Sequence, residues 1–375
     1  MLDGPRLPRH LPALDGLRGI AALLVLAGHW IGSLSAEYGS ALYIVKRALW
    51  LAGTGVDLFF VLSGFLIGGI LLDHRASPNL LRVFWLRRAA RILPLYAVFL
   101  AVFAVISRWP ATPLLHANTQ PLWVHAAFLS NLWAAGTGAG DASFLGSTWS
   151  LAIEEQVYLA LPVIVLLAPI PRLRRGALIV LLLSPIARGL AWMASPVDLS
   201  VTAHNLTLCR LDGFAVGLFL AIEARRAQPI WRTLPRERLL LLGAIPALIM
   251  FWLTRHNEFS GGLAFCLIGY SAFAFFYGWC LAVALHLPLV TAALSCRPLL
   301  WAGRHSYFIY LFQGIVAVAV HRLCLAWLPA AGVPSWLHLG LSALALVGIA
   351  SLSLRWFEGP LISRARKLPY DPAPA

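Results

Sequence analysis

Apolar runs of about 20 residues, the length at which a helix crosses the hydrocarbon core, recur along the chain. They predict ten spanning helices near residues 13–33, 49–73, 91–108, 148–169, 176–194, 206–224, 238–254, 262–287, 300–328 and 336–357. Proline and glycine mark their ends, as in LAPIPRLRRG and ARRAQPIWR. There is no internal repeat and no stretch that reads as a soluble domain. The expected fold is therefore all-α and polytopic, a single transmembrane domain over residues 1–375. Its helical core runs from about 13 to 357, between short polar termini.

Composition sharpens this picture. Of 375 residues, 60% are hydrophobic and 12% charged, against about 25% charged in an ordinary soluble domain. The net charge of +14 comes from 29 basic and 15 acidic residues, and the only lysines are Lys46 and Lys367. In a membrane chain this excess reads as loop charge that sets topology and attracts anionic lipid or a phosphorylated ligand. A nucleic-acid partner is not expected. Arginines gather in alternate connections, at Arg75, Arg82, Arg87 and Arg88, at Arg172, Arg174 and Arg175, at Arg225 and Arg226, and at Arg364 and Arg366. Segments 109–147, 195–205 and 329–335 contain neither lysine nor arginine. Both termini are thus expected in the cytoplasm, with Lys46-Arg47 as the one exception to the pattern. No cleavable leader is expected before Leu11. The five cysteines show no metal-binding spacing, so neither a metal site nor a disulfide framework is expected.

Charged groups inside the apolar runs are the candidate chemistry, because such residues are costly in lipid and mark sites. The first run, LDGLRGIAALLVLAGHW, holds Asp15, Arg18 and His29. Arg18 and His29 are separated by about 16 Å of helix rise and about three turns, and so share a face. Asp57 in GVDLFFVLSGFLIGG and Glu154 and Glu155 in STWSLAIEEQVYL descend from the outer side to a similar depth as His29. The plainer reading is a snorkelling Arg18 and a packed His29. On the cytoplasmic side, FWLRRAARILPLY places Arg87, Arg88 and Arg91 at helical spacing beside Pro94. Guanidinium groups at a pocket mouth suit bidentate phosphate binding, although ordinary topogenic charge explains most such runs. Trp109, Trp123 and Trp133 could stack on sugar rings or simply form an interfacial belt. Ser63 in LSGFLIGG reads as a small packing residue.

These motifs, in this order, resemble the acyltransferase family 3 of integral-membrane proteins. LDGLRGIAALLVLAGHW is similar to the family's first-helix Arg…His motif, GVDLFFVLSGFLI to its second-helix signature, RRAARILPLY to its basic motif and STWSLAIEEQVYL to its Trp-Ser-Leu…Glu motif. Weaker echoes follow in CRLDGFAVGLFLA, GRHSYFIYLFQ and RWFEGPLI. The resemblance implies a ten-helix O-acyltransferase of the bacterial cytoplasmic membrane. It would take an acyl group, most often acetyl in the family, from cytosolic acyl-CoA to a hydroxyl of a carbohydrate or glycoconjugate. By position it implies His29 as the essential histidine with Arg18 as its companion, Glu154 in the catalytic centre, Arg87, Arg88 and Arg91 as CoA-binding, and Arg210 and Asp212 as a later Arg-x-Asp pair. Arg18 could join the cluster on the donor's phosphates, and Arg210 with Asp212 suits a structural ion pair as well as an acceptor contact. Gln313 stands where many relatives have histidine. A glutamine keeps hydrogen bonding and loses proton transfer.

The reaction expected of these residues is proton abstraction from the acceptor by His29, with Glu154 or Asp57 orienting its ring. A variant has His29 attack the thioester first, forming an acyl-imidazole. The competing class is a proton-coupled secondary transporter, which ten spans with buried His and carboxylates would also suit. A glycan-assembly scaffold is a third class. It would tolerate loss of His29.

Overall fold

The computed structural model describes residues 8, 10–32, 34, 39–108, 120–194, 199–255, 262–327 and 334–372. Trp109 lies outside them. Every regular element among the described residues is helical. In chain order these are α1 (Pro12–Gly32), α2 (Ala41–Ala48), α3 (Gly55–Asp73), α4 (Leu80–Ile106), α5 (Leu122–Ala126), α6 (Ser130–Thr137), α7 (Thr148–Leu167), α8 (Ile170–Ala194) and α9 (Leu199–Asn205). There follow α10 (Leu211–Glu223), α11 (Ile230–Thr233), α12 (Arg236–Arg255), α13 (Tyr270–His286), α14 (Pro288–Leu294), α15 (Arg297–Arg304), α16 (Ser306–Trp327), α17 (Ser335–Ser353) and α18 (Gly359–Arg366). Short 3-10 turns lead into α3, α7 and α10, and π-helical turns at Phe265–Gly269 and Leu354–Glu358 join α13 and α18 to what precedes them.

Among the described residues, eight helical stretches are long and apolar enough to cross a membrane. The protein is thus an all-α, polytopic integral-membrane protein. The other two expected spans, 206–224 and 238–254, correspond to α10 and α12, which are not among the eight. α10 has 13 residues, about 20 Å of rise, too little for the roughly 30 Å core. It is buried along nearly its whole length, so protein and not lipid surrounds it.

Other differences concern boundaries. The expected third span at 91–108 is the second half of α4, which runs unbroken through Pro94; transmembrane helices tolerate such prolines where neighbours satisfy the freed carbonyl. Arg82, Arg87, Arg88 and Arg91 therefore ride on one rigid helix and not on a loop. The expected span 300–328 is broken at His305, whose Nδ1 bonds the Trp301 carbonyl. The break lets α15 turn away and pack on α1, where Gly303 meets the Asp15 carbonyl and Gly19 the Leu299 carbonyl, leaving no room for a Cβ.

α3 is the hub. Gly64 faces the Phe214 backbone of α10, and Gly217 faces the Val61 carbonyl. Small residues at such crossings bring helices into backbone contact, the main source of packing energy where lipid supplies no hydrophobic drive. α3 is consequently buried on most of its circumference. Outer helices show the reverse pattern: Leu167, Leu182, Leu241 and Met193 are exposed, which is the lipid-facing surface. Arg75, just after α3, donates to the Ala168 carbonyl just after α7 (2.8 Å), so the two helices end together at the arginine-rich end of the bundle.

Candidate functional site

Between α1, α3, α4, α7 and the start of α16 lies a chamber of about 700 Å³, in part open to solvent. Arg18, Arg88 and Arg91 line it together with Glu154, Tyr158, Ser63, Tyr307 and Tyr310. Each helix delivers its residues by simple periodicity. Arg88 and Arg91 are i,i+3 on α4, Glu154 and Tyr158 are i,i+4 on α7, and Tyr307 and Tyr310 are i,i+3 on α16. The first turn of α16 opens on the same space through Ser306 and Tyr307, adding the positive end of a helix dipole.

Within the chamber Glu154 is the anchor. Its Oε1 accepts from Ser63 Oγ at 2.9 Å and its Oε2 from Tyr158 OH at 3.3 Å, while Ser63 Oγ and Tyr158 OH lie 3.0 Å apart. Ser63 is thus more than a packing residue. Arg88 stacks over Tyr158 and Phe84. Arg18 sits 3.6 Å from Asp15, which also pairs with His10 at 2.8 Å. Arg91 has no carboxylate partner among the described residues. Even with Asp15 beside Arg18, the three cations outnumber the two carboxylates, Asp15 and Glu154, and leave the chamber net positive. Glu155 lies outside it, and its Oε1 is buried without a partner.

Arg87 departs from the expected trio. Its Nη2 donates to the Arg366 and Leu368 carbonyls, and its guanidinium lies 4.7 Å over the Tyr370 ring. Tyr370 in turn stacks on His74 at 3.9 Å, and Asn79 bonds Pro369 and Asp371. Arg87 therefore holds the segment that follows α18, while Arg88 and Arg91 line the chamber.

His29 is exposed near the far end of α1. Its Nδ1 is 2.8 Å from Nε2 of Gln313 on α16, a residue only 3% exposed whose Oε1 has no partner. The ring is not hydrogen-bonded to Glu154 or to Asp57. The expected imidazole–carboxylate contact is replaced by an imidazole–amide contact, because α16 and not α3 or α7 packs against that face of α1.

Asp57, Arg210 and Asp212 form a separate buried network. Arg210 Nη2 donates to Asp57 Oδ1 at 2.8 Å, and its guanidinium lies 4.0 Å from the Tyr270 ring centre, with Trp149 and Phe60 each at 5.6 Å. Arg210 and Asp212 do not pair with each other. Asp212 binds Arg188 Nη1 at 2.8 Å, and Arg188 also donates to the Cys209 and Cys266 carbonyls and to Ser271 Oγ. The Cys266 carbonyl lies in the π-helical turn at Phe265–Gly269, where the regular α-helical ladder is interrupted. Sequence reading missed Arg188 and the tyrosines. An arginine inside SPIARGLAW, in the middle of an apolar run, was itself the signal, since an unpaired charge there is prohibitive.

A family model described as "Acyltransferase domain" matches residues 11–355. The chain is 29% identical to "Putative peptidoglycan O-acetyltransferase YrhL" of Bacillus subtilis (strain 168), an alignment covering 94% of this chain and 55% of that one. It is 27% identical to "Peptidoglycan O-acetyltransferase OatA" of Listeria monocytogenes, covering 94% and 56%. It is 25% identical to "O-acetyltransferase OatA" of Staphylococcus aureus (strain NCTC 8325 / PS 47), covering 96% and 58%. The chain thus spans a little over half the length of the curated relatives it matches. No solved structure matches. Given a match that runs from the first helix to just past α17, over an all-α membrane-spanning bundle, the chain belongs to the acyltransferase 3 family of integral-membrane proteins.

Proposed function

We propose that the protein is an O-acyltransferase of the bacterial cytoplasmic membrane. It moves an acetyl group from cytosolic acetyl-CoA to a hydroxyl of a cell-wall or surface glycan. The observation that carries this reading is the chamber in which Arg18, Arg88 and Arg91 surround a space faced by Glu154 and Tyr158. Several guanidinium groups around one cavity suit the phosphates of a nucleotide thioester. The relatives named as O-acetyltransferases support the same chemistry.

In this reading His29 is the base. The acceptor oxygen bonds to the acyl carbon as its proton passes to the imidazole. The carbon–sulfur bond then breaks, and the thiolate of CoA takes the proton back from the imidazolium. Gln313 orients the ring. Glu154, held by Ser63 and Tyr158, balances the arginines when no donor is bound. Asp57 acts through Arg210 and does not touch the reacting atoms.

The test is release of free CoA thiol by the purified protein in detergent, supplied with acetyl-CoA and a peptidoglycan-derived oligosaccharide. Release should depend on the acceptor and should fall at least a hundredfold in His29→Ala with an unchanged melting curve. Full activity in that variant would overturn the assignment.

A further inference from the structure

A second cavity, of about 520 Å³, lies beside the first turn of α7 among α5, α6 and α9, away from the arginine-rich end. It has no arginine or lysine in its wall. From this cavity we infer that the protein binds a neutral sugar ring of its acceptor here, over Trp149 and between Gln120 and His204. The inference deepens the reading above by naming where the acceptor sits.

The polar groups of this wall divide into two sets. His125 and Asp141 look the more reactive, but both are spent on the frame. His125 Nε2 is 3.1 Å from Asp141 Oδ2, and its Nδ1 is 2.8 Å from Thr148 Oγ1. Asp141 also accepts from the Gln120 and Ser143 backbone N–H groups. What remains free is Gln120 and His204. Gln120 is 8% exposed and its Oε1 is buried without a partner. A buried amide oxygen left unpaired is costly, and a ligand hydroxyl or amide N–H would satisfy it. His204 Nδ1 is 2.8 Å from Tyr270 OH, which leaves Nε2 with no protein partner among the described residues.

The floor is aromatic. Trp149 meets His204 at 4.3 Å between ring centres. An aromatic wall with Gln120 and His204 beside it, an acid and no cation suits a neutral pyranose better than an anion. Burial, helped by the positive charge of Arg210, lowers His204 to about 3, so the pocket stays free of a cationic imidazole at neutral pH. The arginine chamber has the opposite character and suits the anionic donor. The two spaces adjoin at one aromatic contact. Phe60 lines the arginine chamber, Trp149 lines this cavity, and the two rings meet edge to face at 6.2 Å with Arg210 against both. Donor and acceptor spaces are therefore stacked along α7. Trp123 and Trp133, which the sequence offered as sugar platforms, are exposed and pack edge to face on each other, outside this cavity.

Equilibrium dialysis of the purified full chain in detergent against labelled N-acetylglucosamine trimer tests the inference, with acetyl-CoA binding and thiol release measured on the same samples. Saturable trimer binding is expected, weakened at least tenfold in Gln120→Ala and His204→Phe, with acetyl-CoA binding within twofold of wild type. Gly140→Trp guards against misfolding, because a Cβ at Gly140 meets nothing within 4 Å while its ring would fill the cavity; it should abolish trimer binding. No trimer binding by the wild type, or equal binding in all three variants, overturns the inference. Absence of acetyl-CoA binding and thiol release would instead overturn the acyltransferase reading.

Discussion

Nε2 of Gln313 lies 2.8 Å from Nδ1 of His29, across the α1–α16 contact. An amide can serve an imidazole in two ways. Its N–H can donate to a bare Nδ1, or, after a half-turn of the amide, its oxygen can accept from Nδ1–H. Only the second leaves Nε2 as a lone pair able to take a proton.

Gln313→Ala should therefore lower kcat for acyl transfer about tenfold, equivalent to about 1.4 kcal/mol of barrier, with little change in KM for acetyl-CoA. Gln313→Glu should move the pH–rate profile toward higher pH, because a carboxylate stabilises the imidazolium. An unchanged profile in the glutamate variant would show that position 313 does not act through His29.

The neighbouring arginines should separate functionally. Arg88→Ala and Arg91→Ala should raise KM for acetyl-CoA on the order of tenfold or more, each removing a charge-assisted contact to phosphate. Arg87→Ala should affect KM far less and should instead free the segment around Leu368 and Tyr370, read as faster amide exchange there. Equal KM effects from all three would contradict the division seen along α4.

The buried ion pairs should dominate stability. Arg188→Met strands Asp212, and Asp57→Ala strands Arg210; each loss of one partner costs about 3–5 kcal/mol. The double variant Asp57→Ala with Arg210→Met should recover part of the single loss, since no lone charge remains. Thermal unfolding in detergent measures this. A double variant as unstable as the sum of its singles would argue against a direct pair.

Acid should weaken the fold through the outer cavity. His204 is lowered from 6.5 to about 3 by burial and by Arg210. Between those values the unfolded chain binds a proton that the folded chain does not, so stability falls as pH drops below 6.5. For Asp141, burial alone would raise the carboxyl, but hydrogen bonds from His125, Ser143 and Gln120 outweigh it and leave it lowered. Its contribution is present above the ordinary carboxylate value and is lost as pH falls through the folded one. Melting temperature should decline steadily from pH 7 to 4, and His204→Phe should flatten that decline. A flat curve in the wild type would refute the account.

By itself the sequence determined what one dimension carries: apolar runs of spanning length, the arginine bias between their ends, and the motif residues on each helix. Periodicity along one helix is a local property, so Arg88 with Arg91, and Arg18 with His29, could be placed on common faces without a fold. Which face meets which neighbour is not local. The close crossing of α3 and α10 at Gly64 and Gly217 decided that Asp57 meets Arg210 and not His29. The break at His305 turned α16 so that Gln313, not an acid, reached the imidazole. Arg188 found its partners from three separate elements, at Cys209, at Asp212 and at Cys266 in a π-helical turn far along the chain. The second cavity was invisible for the same reason: Gln120, Trp149 and His204 are far apart in the chain, and only packing gathers them.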